Sequence, residues 1–142
     1  MPLWRIYHPE RFFSGDEQTQ LASSITELYT NFLPAFYVDV LFIPLAHTNI
    51  YIGGKPRNNF VRFAGEHIAR KFDGDKARMT AMVKRFNLAV TPLMKAKDAD
   101  WEVHIAETPF ELWSINGMQP PPPGSEQEES WRAHGRPVEY QS

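Results

Sequence analysis

PLWRIYHPERFFSGDEQTQLASSITELYTNFLPAFYVDVLFI, residues 2–43, carries a complete strand–helix–strand pattern. Pro2 has no N–H for a sheet ladder and stands where a strand tolerates that loss, at its first residue. Leu3–Tyr7 reads as the strand. Pro9 and Gly15 break it, and Ser14 with Glu17 three residues on is a capping-box signal. Leu21, Ile25, Leu28, Phe32 and Leu33 then recur at helical spacing and predict a helix over about 15–33, closed by Pro34. Phe36–Phe42 is dense in aromatic and β-branched residues and predicts the second strand.

The pattern then repeats without sequence identity. Asn49–Ile52 is a short extended piece ended by Gly53-Gly54. Phe60–Ala69 has strand character, and Asp73, Gly74 and Asp75 make a helix start. Met79, Met82, Val83, Phe86, Val90 and Leu93 share one helical face, with Pro92 expected to distort its end. Trp101–Ala106 alternates, placing Trp101, Val103 and Ile105 on one face and Glu102, His104 and Ala106 on the other.

Two consecutive β-α-β units, about 2–43 and 60–106, predict an α/β (α+β) fold. Each unit has a right-handed parallel crossover, giving a four-stranded mixed sheet with two helices on one face. Such sheets are normally covered on both sides, so the other face calls for a second copy of the chain. The tail, about 108–142, holds the turn Asn116-Gly117 and the polyproline run Pro120–Pro123. Trp113 and Trp131 predict that it wraps the body or a neighbouring copy. The expectation is one domain, 1–142.

Composition narrows the function. There is no cysteine, which excludes disulfides, thiolate metal sites and cysteine nucleophiles. A net charge of -2 argues against nucleic acid. Runs such as Val40–Leu45 are too short to span a bilayer, and no secretory leader is visible, so a cytoplasmic protein is expected. His8, His47, His67, His104 and His134 lack metal-site spacing. Gly53–Arg57 lacks the Ser/Thr and helix of a phosphate loop, and there is no GxSxG elbow. No metal or cofactor is expected.

The stretch Asn58–Arg70 reads as a strand yet holds Arg62, Glu66, His67 and Arg70. Alternation puts Arg62, Glu66 and Arg70 on one side and His67 on the other. One reading is a solvated face with a Glu–Arg pair. The other is that Arg70, at the strand's end, binds a substrate carboxylate through its planar fork. Tyr29 reads as a core tyrosine and His104 as a packed strand histidine until further evidence bears on them.

The segments PLWRIYHPE (2–10), LPAFYVDVLFI (33–43), YIGGKPRNNFVR (51–62), EHIAR (66–70) and DWEVHIAETPFELWSINGMQPPP (100–122) resemble the tautomerase superfamily. They are most similar to its cis-3-chloroacrylic acid dehalogenase-like group and the fungal oxalocrotonate tautomerase branch within it. The resemblance implies a cofactor-free homotrimer in which Pro2, freed by removal of Met1, is the acid or base. It implies that Arg70 binds the carboxylate of a small substrate, with Lys71 the nearest second cation. Tyr29 falls where the dehalogenase has a helix histidine, and His104 where it has a strand tyrosine. Both would polarise the substrate oxygen. The dehalogenase's water-activating glutamate falls near Ile115, with Glu111 one turn away, and His67 and Asn116 stand as further pocket candidates. The implied activity is tautomerisation of 2-oxo/enol or unsaturated carboxylates. The alternatives are hydration or dehalogenation of 3-haloacrylate-like acids, or a non-catalytic binding protein of the same fold.

Overall fold

The computed structural model describes residues 1–140. The chain runs β1 (Pro2–Pro9), α1 (Gly15–Glu27), β2 (Asp39–Leu45), the short pair β3 (Tyr51–Ile52) and β4 (Lys55–Pro56), β5 (Phe60–His67), α2 (Lys76–Ala96), β6 (Asp100–Glu107) and α3 (Glu126–His134). The sheet order is β2-β1-β5-β6. β1 pairs parallel to β2, β5 parallel to β6, and β1 antiparallel to β5 at the centre. This is the mixed sheet that the doubled pattern predicts.

Alternation sorts the central strands cleanly. Trp4 and Ile6 of β1, with Val61 and Phe63 of β5, are wholly buried toward the helices. The Trp4 ring stacks on Phe86 of α2 at 4.1 Å. Gly65 lies opposite Trp4, and a Cβ there would come within 2.7 Å of the indole. A strand glycine normally weakens a sheet; here its missing side chain makes room for the largest core residue. On β6 the split also follows the pattern, with Trp101, Val103 and Ile105 half-buried and Glu102, His104 and Ala106 exposed.

The predicted capping box forms: Ser14 Oγ accepts from Glu17 N at 3.1 Å while Glu17 Oε1 accepts from Ser14 N at 2.9 Å. However, α1 stops at Glu27 rather than near 33. Beyond it Leu28, Tyr29 and Phe32 donate to carbonyls three residues back, in tight turns. Arginine side chains satisfy the carbonyls this leaves: Arg85 on Leu28, Arg132 on Thr30 and Leu33, and Arg70 on Phe32. The apolar spacing persists through these turns, which is why it reads as helix.

The second strand is β2 at 39–45, not 36–42. Pro34 opens a 3-10 turn over Ala35–Tyr37, and the aromatics there serve the tail. Phe36 packs on Trp131 and Tyr37 edges against Trp113. The tail forms α3, which holds Trp131 fully buried. Pro92 sits inside α2. The carbonyl it leaves without a donor is that of Leu88, an exposed residue, where water can serve it.

Candidate active site at the start of β1

Pro2 is buried at the first position of β1, directly opposite His67 at the last position of β5. The register of the central pair therefore brings two distant residues together at one sheet end. Tyr29, in the turns after α1, reaches the same point. Its hydroxyl accepts from Trp4 Nε1 at 3.0 Å and lies 2.7 Å from His67 Nε2. The indole N–H is only a donor. The direction of the Tyr29–His67 bond follows the histidine tautomer; the one in which Tyr29 donates to Nε2 places the His67 proton on Nδ1. That Nδ1 has no partner among the described residues. Nor is it one of the polar atoms sealed from solvent without a partner, which are His8 Nε2 and Tyr37 Oη. Phe72 stacks on the His67 ring at 5.3 Å and holds its plane.

These residues border a cavity of about 420 Å³. Its apolar wall includes Phe32, Leu33, Phe72 and Met82; its charged lining is Arg70, Lys71, Arg78 and Arg85, with no acidic side chain among the described residues. Burial, with a smaller effect from the nearby chain-terminal amine, lowers the His67 pKa to about 4, so the ring is neutral at neutral pH. Burial likewise lowers the Met1 amine to about 4. It pushes the Tyr29 phenol well above its ordinary value, opposed by the Trp4 hydrogen bond and by the charge of Arg85.

Arg70 borders the cavity, but its fork is engaged. Both terminal nitrogens pair with Glu128 of α3, at 3.3 and 2.9 Å, and also donate to the Ala69 and Phe32 carbonyls. The Glu128 carboxylate is buried. Alternation also fails at Arg70, which does not share a face with Arg62 and Glu66. β5 ends at His67, and Ile68 N turns to bond the Met1 carbonyl. Arg62 and Glu66 remain on the opposite sheet face, paired with Glu102 and Arg5 respectively.

Of the sequence candidates, then, Pro2, Tyr29, His67, Arg70 and Lys71 meet at one cavity. His104 does not meet them in the protomer. It lies on the opposite sheet face, where Arg62 donates to its Nδ1 at 2.9 Å. Glu111, in a 3-10 turn, and Asn116, at a positive-φ turn position, are exposed and do not line the cavity. Sequence reasoning passed over Arg78 and Arg85. Their signal was spacing: residues 78, 81, 82 and 85 form one stripe of α2, beside the apolar face that drew attention.

The family model described as "Putative oxalocrotonate tautomerase enzyme" matches residues 1–136. RhCC from Rhodococcus jostii RHA1 superposes with TM-score 0.92 at 41% identity, over 97% of this chain and 99% of that one. AU4130/APC7354, "a probable enzyme from the thermophilic fungus Aspergillus fumigatus", gives 0.91 at 40% identity, over 99% and 98%. N1, a member of the cis-3-chloroacrylic acid dehalogenase family, gives 0.66 at 17% identity, over 91% and 89%, which is a likeness of fold. No curated protein matches the chain. With the family model spanning nearly all of the sequence, the chain belongs to this oxalocrotonate tautomerase family, within the tautomerase superfamily.

Proposed function

We propose that the protein is a tautomerase-type enzyme acting on small 2-oxo/enol carboxylates, with Pro2 as its acid/base after Met1 is removed. The observation that carries this reading is the shared cavity. A buried residue-2 nitrogen, a neutral imidazole N–H and an excess of cations border the same space. Removal of Met1 converts the Pro2 nitrogen from an amide to a secondary amine. Burial disfavours its charged form, as it does for the Met1 amine that precedes it, where Arg70 assists and Asp39 and Glu128 oppose. A neutral amine takes the enol hydroxyl proton and returns it to the substrate carbon, which completes ketonisation without a co-reactant. His67 Nδ1–H, held by Tyr29, donates to the oxygen on which charge develops. The cationic lining draws in the carboxylate. The sheet face opposite the helices is covered by further copies in a homotrimer, which sedimentation of the purified protein tests.

The catalytic test is ketonisation of phenylenolpyruvate by the wild type and by Pro2→Ala. A fall in kcat/KM of about 100-fold is expected, the low end of a general acid–base contribution. Undiminished turnover would remove Pro2 from the reaction.

A further inference from the structure

We infer that the substrate carboxylate is held by Arg78 and Arg85 of α2, and that Arg70 serves the fold instead. The inference rests on the reading of this cavity as the active site and names the anion-binding edge within it.

Availability of donors separates the cations. Arg70 has four N–H···O bonds on its two terminal nitrogens, two of them to the buried Glu128 carboxylate. Its charge is balanced and its fork is filled. Arg85 uses one terminal nitrogen on the Leu28 carbonyl, at 3.1 Å. That bond fixes the side chain across the end of α1 and leaves its other terminal nitrogen and Nε without a partner among the described residues. Arg78 makes no side-chain hydrogen bond among those residues. Lys71 is likewise unpaired among them, but it presents a point charge rather than a planar fork.

Placement agrees. Arg78 and Arg85 lie two helical turns apart on the stripe they share with Ala81 and Met82, and all four border the cavity. Alanine at 81 keeps the gap between the arginines open. Met82 is buried at its floor, and Phe32 and Phe72 form apolar walls nearby. Arg85 lines the same cavity as Tyr29 and His67. A carboxylate on an apolar or aromatic body fits, with its charged end on α2 and its body over Phe72 and Met82.

Binding without turnover separates this inference from the role of Pro2. The probes are 3-phenylpropanoate and its uncharged amide, 3-phenylpropanamide, titrated calorimetrically into the wild type, Arg78→Gln, Arg85→Gln and the double variant. The double variant is expected to weaken the acid at least tenfold and leave the amide within twofold. Arg78→Gln removes no bond of the fold, and alone it should weaken the acid about fivefold. Unchanged affinity for the acid in Arg78→Gln and the double variant would overturn the inference. So would equal losses for acid and amide, or absence of saturable acid binding by the wild type.

Discussion

The Tyr29 hydroxyl stands between Trp4 Nε1 and His67 Nε2, at 3.0 and 2.7 Å, and links the buried indole to the imidazole at the cavity. Trp4 can only donate to Tyr29, and in the tautomer on which the proposed mechanism rests Tyr29 donates onward to Nε2 and His67 keeps its proton on Nδ1. Tyr29→Phe removes an acceptor and a donor together. The buried indole N–H is left unpaired, at a cost of about 1–3 kcal/mol. The His67 tautomer is also no longer held, so thermal unfolding should shift down and kcat should fall more than KM rises. A variant with wild-type stability and kcat would show that the chain does not order the site.

Acid stability should report His67. Its pKa falls from the ordinary histidine value of 6.5 to about 4 in the folded protein, chiefly through burial. Between these values the unfolded chain binds the proton more readily, so the stabilisation is complete above pH 6.5 and is lost as pH falls toward 4. The span corresponds to about 3 kcal/mol. Urea titrations across this range should show the decline, and His67→Gln should remove one proton's share of the slope, the chain-terminal amine, lowered by the same burial, contributing the rest. An equal slope in the variant would place the titrating group elsewhere.

Arg70 and Glu128 tie α3 to the cavity wall. Arg70→Ala would leave a buried carboxylate without its counter-charge, costing about 3 kcal/mol. The expected signature is a large drop in Tm with a modest change in KM. A large rise in KM at unchanged Tm would instead return Arg70 to substrate binding.

Gly65→Ala places a methyl 2.7 Å from the Trp4 ring. The indole stacks on Phe86 and cannot retreat without repacking the core, so a loss of about 1–3 kcal/mol is expected in chemical denaturation. Trp4→Phe combined with Gly65→Ala should recover part of it. An unaffected single variant would mean that the two strands separate easily at this point.

The doubled strand–helix–strand pattern made the sheet legible, because apolar spacing at periods near two and three and a half follows directly from which faces are buried. The early end of α1 was not legible. Its apolar spacing runs on through Leu28, Phe32 and Leu33, and the carbonyls beyond are met by Arg70, Arg85 and Arg132 from far along the chain. Phe36 and Tyr37 read as strand because aromatic residues favour strands, yet they meet tryptophans of the tail. At the site, Arg70 stood out by residue type and position, Pro2 through the family resemblance, and His67 as a further pocket candidate. The pairing of Arg70 with Glu128 depends on a helix far along the chain and left no local trace. His104 stayed apart because β6 alternation turns it to the other face.

The most direct test joins intact mass to rate. The mature protein should have the mass of a chain beginning at Pro2 and should ketonise phenylenolpyruvate, with Pro2→Ala reducing kcat/KM about 100-fold. A mature protein that retains Met1 and still turns over phenylenolpyruvate at the full rate would contradict proline-based catalysis.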